Sequence, residues 1–128
     1  MLSIPRALTI AGSDSGGCAG IQADLKTFSA LEVHGMSVIT SVTAQDTKRV
    51  YLSSDLPLEN IERQIEAVIQ DIGVDAVKTG MLSSGKIIEL GVMDILKQIN
   101  PKKTCVPDFD IHDDAEFDDP DIVAVIDG

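Results

Sequence analysis

Apolar and polar positions alternate along the chain in a pattern typical of strands followed by helices. A continuous apolar run from Ala7 to Ala11, closed by Gly12, predicts a buried strand. The next apolar residues recur every three or four positions, as on one face of a helix: Ile21, Leu25, Phe28 and Leu31. This helix is predicted to begin at Ala19 and to end near His34 and Gly35. The first unit is therefore a strand, a glycine-rich turn and a helix.

The same alternation continues in the middle of the chain. Ser37–Ala44 is rich in β-branched residues and predicts a second strand, which leads Gln45 and Asp46 into a polar loop. Pro57 opens a second predicted helix. Its apolar face consists of Leu58, Ile61, Ile65, Val68 and Ile72. Val74–Val77 predicts a third strand, which precedes a second glycine-containing turn.

A third helix and two short strands complete the pattern. Ser83 or Ser84 is suited to cap a helix that extends to Ile99, and Thr104–Val106 and Ile122–Ile126 predict strands. Strands that alternate with helices pair in parallel, so the pattern predicts one α/β domain with a layered sheet.

Composition narrows the class of protein. Of the 128 residues 44% are hydrophobic and only 3% aromatic, so the core is expected to be aliphatic. No apolar run approaches the roughly 18 residues of a membrane span, and the N-terminus lacks the features of a signal peptide, so we expect a cytoplasmic protein. Cys18 and Cys105 lack the spacing of a metal site and are expected to be reduced thiols.

Charge divides the chain into two parts, 1–107 and 108–128. The net charge of -11 argues against nucleic acid and anionic membranes as partners. Nine of the 21 acidic residues, and no basic residue, lie in the second part, whose residues Asp108–Pro120 are predicted to form a solvated loop. A calcium or carboxylate/histidine site there is disfavoured, because glycine and glutamate are absent from the positions an EF-hand loop requires. Its ligands would be Asp108, Asp110, His112 and Asp114.

The glycine-rich segment Thr9–Asp24, TIAGSDSGGCAGIQAD, is a candidate ligand site. It matches neither the Walker A phosphate loop nor the dinucleotide fingerprint, yet it holds more glycines than a tight turn needs. A ligand is therefore expected to approach its backbone closely. Two other polar segments, Thr43–Thr47 and Lys78–Leu82, also follow predicted strands, and ligands bind at the carboxyl ends of parallel strands. The three segments should converge.

The stretches ALTIAGSDSGGCAGIQADLKTFSALEVHGMSVITSVTAQDT and VDAVKTGMLSS resemble the hydroxymethylpyrimidine/phosphomethylpyrimidine kinases of thiamine biosynthesis, in the ribokinase-like superfamily. The resemblance covers residues 7–99. It implies a three-layer α/β fold with a mostly parallel central sheet. It also implies phosphorylation of 4-amino-5-hydroxymethyl-2-methylpyrimidine and then of its monophosphate, with ATP and Mg²⁺ as cofactors.

The resemblance places six residues around the pyrimidine: Gly12, Ala19, Asp24, Thr43, Gln45 and Met81. The amide of Gln45 offers a donor and an acceptor side by side, which suits an aminopyrimidine edge. Asp24 can accept from a hydroxyl or amine, and Met81 offers polarizable apolar area to a flat ring. Alternatively, Gln45 is a polar loop residue, Asp24 is a solvated helix carboxylate and Met81 is a core side chain. Lys78 suits either phosphate steering or a structural ion pair.

The chain departs from the family pattern in three residues and in length. Cys18 stands where the family usually has glycine, Asp46 replaces a usual asparagine and Glu32 a usual glycine. Family members are much longer, and their second half carries the nucleotide site, the anion hole and the catalytic base. The resemblance therefore implies a truncated fold, and no catalytic residue is assigned to this chain.

Two functions of different class follow. The chain is either part of a kinase, weak or inactive alone, or a non-catalytic pyrimidine-binding or assembly module; a nucleotide-binding half-domain is a more distant third. An apolar sheet edge and face left uncovered by the missing half predict self-association, and hence a homo-oligomer.

Overall fold

A computed structural model describes residues 3–89, 104–106 and 123–125 of the chain. The N-terminal elements are β1 (Arg6–Asp14), α1 (Gly20–Ala30), β2 (His34–Gln45) and β3 (Val50–Asp55). Next come α2 (Leu58–Ala67), a π-helical turn (Val68–Ile72), β4 (Ala76–Thr79) and α3 (Gly85–Ile88). Two further strands are β5 (Thr104–Val106) and β6 (Val123–Val125).

The strands form one mixed sheet in the order β3-β2-β1-β4-β6-β5. Its centre is parallel, because β1 pairs in parallel with β2 on one side and with β4 on the other. The flanking pairs, β2–β3, β4–β6 and β6–β5, are antiparallel. The predicted parallel centre is confirmed, and it brings the carboxyl ends of β1, β2 and β4 to one edge.

Helices cover both faces of this sheet, as the three-layer prediction requires. Side chains alternate along a strand, so neighbouring residues of β1 face opposite layers. Thr9 bonds to Asp24 of α1, whereas Leu8 and Ile10 belong to the main apolar cluster, which includes residues of α2. That cluster consists of Leu8, Ile10, Met36, Val38, Ile61, Ile65, Val77 and Ile87. As the composition predicts, it is entirely aliphatic.

The first helix ends earlier than predicted. α1 ends at Ala30, Leu31 is 69% exposed, and β2 already begins at His34. Glu32 has a positive φ of 59°, which turns the chain out of the helix and toward the next strand. The predicted helix end near Gly35 and the strand start at Ser37 are therefore both too late. His34, near which the helix was predicted to end, is the first residue of β2.

The polar loop predicted after Gln45 is in part a strand. β3 pairs antiparallel with β2, and the two are joined by a tight turn in which Asp46 accepts hydrogen bonds from the backbone amides of Lys48 and Arg49. All six residues of β3 are exposed. An exposed edge strand has no buried face, so it lacks the alternation of apolar and polar positions that identifies a strand in sequence.

The second helix forms at the predicted place. Ile61 and Ile65 are buried against the sheet, while Leu58 and Ile72, predicted on the same face, are each 40% exposed. The π-helical turn after Ala67 widens the helix and takes Ile72 out of register with the apolar face. Gln64 fixes the helix to the sheet, because its side-chain amide bonds both backbone groups of Ile39.

The third helix is capped as predicted, since the Ser84 hydroxyl accepts from the amide of Ile87. The predicted extension of this helix to Ile99 and the acidic loop Asp108–Pro120 lie outside the described residues. β5 and β6 occupy the two predicted C-terminal strands. Among the described helices, none is long and apolar enough to cross a bilayer.

Candidate functional site

The three polar segments converge at one edge of the sheet, as predicted. Asp14 at the end of β1 is the register partner of Thr43 near the end of β2. On the other side of β1, the Gly80 amide just beyond β4 donates to the carbonyl of Ile10 over 2.9 Å. A register shift between Ala11 and Ser13 bends this edge locally. The glycine-rich turn thus lies between the loops that follow β2 and β4.

Asp14 occupies the interior of the glycine-rich turn. Its carboxylate accepts three backbone hydrogen bonds, from the amides of Gly16 (2.8 Å), Cys18 (3.0 Å) and Ala19 (2.8 Å). The residue is only 4% exposed. Converging backbone amides commonly bind an external anion. Here the chain supplies the anion itself, so these amides are already satisfied.

The same carboxylate lies at the N-terminus of α1. Ala19 is the N-cap residue and has no side chain able to satisfy the first amides of the helix. Asp14 accepts from the amides of Cys18 and Ala19, which precede the first helical residue, so it does not replace that cap, but its negative charge lies at the positive end of the helix dipole. The hydrogen bond from Gly16, joined by those from Ala19 and Cys18 and by the nearby Lys26 ammonium, lowers the pKa of Asp14 despite its burial.

Gly20 is required for the turn to close against β1. It has a φ of 60°, and a Cβ placed on it would lie 2.4 Å from the carbonyl oxygen of Gly12. No real Cβ atom tolerates such an approach, so any other residue here must move the backbone. Gln22 also joins α1 to the end of β1, because its side-chain amide accepts from the backbone N–H of Asp14 and donates to the hydroxyl of Ser13.

Ser15 joins this turn to the end of β2. Its hydroxyl donates to the carbonyl oxygen of Gln45 over 2.6 Å and accepts from the backbone N–H of Gln45 over 2.7 Å. Thr43, two residues earlier, donates its hydroxyl to the carbonyl of Ser13 over 2.7 Å and lies 3.2 Å from Oε1 of Gln45. The turn and the last residues of β2 therefore form one hydrogen-bonded unit.

The side-chain amide of Gln45 is engaged at one end only. Its Oε1 contacts Thr43, whereas its Nε2 has no hydrogen-bond partner within the part of the chain that the structure describes. Its backbone, in contrast, is held on both sides by Ser15. Gln45 thus presents an available amide group from a fixed position at the edge of the sheet.

Asp24 is engaged by the protein on both oxygens. It accepts from the hydroxyl of Thr9 over 2.6 Å and from the ammonium of Lys78 over 2.9 and 3.1 Å. Of the two roles predicted for Lys78, the structure shows the ion pair. Asp24 and Lys78 join α1 to the end of β4 beneath the turn, and the Asp24 side chain is 13% exposed.

Gly12 and Met81 lie side by side at this edge. A Cβ placed on Gly12 would lie 2.8 Å from Oγ of Ser41 and 3.7 Å from the methyl group of Met81. The Ser41 hydroxyl is buried and has no hydrogen-bond partner among the described residues. Gly12 is in β1 rather than after it, so this glycine gives room to a neighbouring strand and not to the turn.

The structure therefore brings five of the six predicted residues to one edge of the sheet, with Gly12 in β1, Thr43 and Gln45 in β2, and Ala19 and Met81 in the segments that follow β1 and β4. It places the sixth, Asp24, in an ion pair with Lys78. Sequence reasoning missed the roles of Asp14 and Ser15. A signal for Asp14 was present, because an aspartate followed two residues later by glycine is typical of a side chain that bonds its own turn.

Within the described residues, neither the glycine-rich turn nor a cluster of ligand side chains forms a ready site for nucleotide phosphates or a metal ion. The amides of the glycine-rich turn are taken by Asp14. Within residues 3–89 and the two short C-terminal strands, no three carboxylate, histidine or cysteine side chains group together as metal ligands.

Known proteins with similar sequence and structure are vitamin kinases. Hydroxymethylpyrimidine/phosphomethylpyrimidine kinase from Streptomyces coelicolor is 60% identical over 85 residues, which make up 66% of this chain and 32% of that protein. The phosphomethylpyrimidine kinase from Clostridium difficile 630 superposes with a TM-score of 0.74 at 58% identity, over 81% of this chain and 44% of that one. The chain thus spans about a third of the length of the first relative.

A more distant structural neighbour has been solved with ligands bound. Staphylococcus aureus pyridoxal kinase, in complex with AMP-PCP and pyridoxal, superposes with a TM-score of 0.68 at 38% identity, over 75% of this chain and 35% of that one. The ribokinase-like fold predicted from the sequence is confirmed by these vitamin kinases. The family model of phosphomethylpyrimidine kinase matches residues 14–127, nearly the whole chain. The chain belongs to the phosphomethylpyrimidine kinase family.

Proposed function

We propose that this chain supplies the pyrimidine-binding half of a kinase that uses ATP to phosphorylate 4-amino-5-hydroxymethyl-2-methylpyrimidine and then its monophosphate, in thiamine biosynthesis. The observation that carries the proposal is Gln45, whose backbone is held by Ser15 while its side-chain Nε2 has no partner among the described residues. A fixed amide with an available donor beside an acceptor suits the ring nitrogen and exocyclic amine of an aminopyrimidine. Gly12, Ala19, Thr43 and Met81 would line the ring.

Asp24 takes a revised role in this proposal. Its oxygens already accept from Thr9 and Lys78, so it meets the ligand as a preorganised, charge-compensated carboxylate. The 5-hydroxymethyl group of the substrate is a donor that such a carboxylate can still accept, because each oxygen has two lone pairs. Holding that hydroxyl in place would orient the oxygen that receives the phosphoryl group.

ATP and Mg²⁺ would be held by parts of the complete enzyme other than the described residues. Phosphoryl transfer depends on positioning and on neutralising the charge of the transferred group. Since Asp14 takes the amides of the glycine-rich turn and no three potential metal ligands group together among the described residues, we expect no measurable turnover from this chain alone. The cytoplasmic location and the homo-oligomer expected from the sequence stay predictions.

A non-catalytic pyrimidine-binding or assembly module is the second candidate. One observation favours it: the turn is organised by the chain itself, through Asp14 and Ser15, and needs no second half to take its shape. A module of this kind would bind the pyrimidine unaided and gain no activity from a restored partner.

One pair of measurements separates the two candidates. The chain is fused to the second half of the Clostridium difficile relative, and ATP-dependent phosphorylation of the pyrimidine is followed beside pyrimidine binding by the unfused chain. A half-enzyme gives turnover in the fusion and none alone, and Gln45→Ala in the fusion raises KM. Binding by the unfused chain together with an inactive fusion supports the module. Binding of ATP but not of the pyrimidine contradicts both.

A further inference from the structure

We propose that Asp14 and Ser15 are positioning residues for the pyrimidine site: Asp14 fixes the glycine-rich turn, and Ser15 transmits that position to Gln45. This inference rests on the proposed function for the identity of the ligand. These two adjacent side chains together would align the turn with the end of β2. The other described links between the two sides are the pairing of Asp14 with Thr43 in the sheet and the hydrogen bond from the Thr43 hydroxyl to Ser13.

The carboxylate of Asp14 fixes the glycine-rich turn. Its two oxygens accept from three amides within five residues of chain, and the Gly17 amide donates to the carbonyl of Asp14 over 3.1 Å. Each bond fixes a different part of the turn, including Ala19, one of the predicted ring contacts. Only a group that accepts on both oxygens satisfies this arrangement, since an asparagine would direct an NH₂ donor at amides that also donate.

The hydroxyl of Ser15 connects the turn to Gln45. It follows Asp14 directly, so the turn that Asp14 fixes also fixes the place of this hydroxyl. It is a donor to Gln45 at 2.6 Å and an acceptor from Gln45 at 2.7 Å, which uses both functions of the hydroxyl on one residue. Alanine would leave the turn bonded to Asp14 and release Gln45 from it.

A role in positioning differs from a role in stability alone, and the chain offers a matched control. Asp75 is a carboxylate that accepts from the backbone N–H and the guanidinium of Arg6, at the opposite end of β1. Asp75→Asn makes the same chemical change far from the turn. It should lower the melting temperature without altering pyrimidine affinity.

The test compares Asp14→Asn, Ser15→Ala and Asp75→Asn in the full chain. Calorimetry measures affinity for 4-amino-5-hydroxymethyl-2-methylpyrimidine, thermal melting measures stability, and NMR measures hydrogen exchange of the Gln45 amide without ligand. We expect Ser15→Ala to weaken binding about three- to tenfold, while the loss of its two hydrogen bonds to Gln45 lowers the melting temperature no more than Asp75→Asn does. Asp14→Asn should weaken binding at least as much. Both should speed exchange at Gln45.

Faster exchange at Gln45 in Asp14→Asn is the distinctive result, because Asp14 does not bond Gln45. If exchange quickens only at Gly16, Cys18 and Ala19, or if Ser15→Ala binds the pyrimidine as the parent does, the positioning role is overturned. Should Asp14→Asn fail to fold, Ser15→Ala decides by the same two readouts. If neither the parent chain nor its fusion to the second half of the Clostridium difficile relative binds the pyrimidine, the proposed function fails, while exchange at Gln45 still supports or overturns the positioning role.

Discussion

The ammonium of Lys78 lies 2.9 Å from one carboxylate oxygen of Asp24 and 3.1 Å from the other. This pair joins the end of β4 to α1 across 54 positions of sequence, and Thr9 of β1 completes it by donating to the same carboxylate. The Asp24 side chain is 13% exposed and that of Lys78 35%. The pair is therefore partly desolvated, and each partner compensates the charge of the other.

Lys78→Met should destabilise the fold. It keeps the length of the aliphatic stem but leaves the Asp24 carboxylate without its counter-ion, with Thr9 as its remaining partner. We expect the free energy of unfolding to fall by about 1 to 3 kcal/mol. This lies between the small contribution of an exposed ion pair and the larger cost of breaking a buried one. Urea unfolding measures this loss.

Lys48→Met is the control for that variant, because Lys48 is exposed and its side chain bonds no described residue. The double variant Asp24→Asn with Lys78→Met should recover part of the loss, since it removes both charges together. Equal stability of Lys78→Met and Lys48→Met would show that the ion pair contributes nothing.

Gly20→Ala should disrupt the turn, whereas Gly85→Ala should not disrupt α3. A Cβ at Gly20 meets the Gly12 carbonyl at 2.4 Å with φ at 60°, while a Cβ at Gly85 meets nothing within 4 Å. Gly85 opens α3, where alanine is the better helix former by up to about 1 kcal/mol. Thermal melting should therefore show a lower transition for Gly20→Ala and an equal or higher one for Gly85→Ala. An unchanged melting temperature for Gly20→Ala would contradict the described contact.

Asp14 should contribute to stability in a pH-dependent way. Its bonds from Gly16, Ala19 and Cys18 hold its pKa below the ordinary value of 3.8 in the folded chain. The unfolded chain then binds this proton more readily, so stability rises with pH across the interval between the two pKa values. The contribution of Asp14 is complete above the unfolded pKa and is lost as pH falls through the folded one.

Melting temperatures of the parent and of Asp14→Asn, measured from pH 7 down to pH 3, check this. The variant carries no titrating group at that position. The difference in melting temperature between parent and variant should therefore be constant above about pH 5 and should shrink below about pH 4. Asp46→Asn serves as a comparison, because bonds from Tyr51, Lys48 and Arg49 also lower the pKa of Asp46. A parent–Asp14→Asn difference that stays the same at every pH would contradict the described role of Asp14.

The elements with a buried face were predictable from sequence, and those without one were not. The apolar run before the turn and the face of Ile61 and Ile65 identify β1 and α2, because burial imposes a period on the residues. β3 is exposed along its whole length and shows no such period. The end of α1 depends on the positive φ of Glu32, a conformation for which the residue type gives little indication.

The candidate site was predictable in its location and less so in its internal bonding. Polar segments that follow parallel strands must share one edge, which is why Gln45 and Met81 were expected near the turn. Sequence did not reveal that the amides of the turn are satisfied by Asp14, or that Asp24 pairs with Lys78. Both depend on the directions of side chains, which spacing alone does not fix.

The central claim is that Gln45 reads the edge of an aminopyrimidine held at the glycine-rich turn. Titration calorimetry of the parent chain, Gln45→Ala and Gln70→Ala with 4-amino-5-hydroxymethyl-2-methylpyrimidine tests it most directly, Gln70 being an exposed glutamine of the π-helical turn. We predict that Gln45→Ala weakens binding by about 1 to 3 kcal/mol, the cost of leaving buried polar groups unpaired, and that Gln70→Ala binds as the parent does. Pyrimidine binding that survives Gln45→Ala unchanged, or binding of ATP in place of the pyrimidine, would contradict the claim.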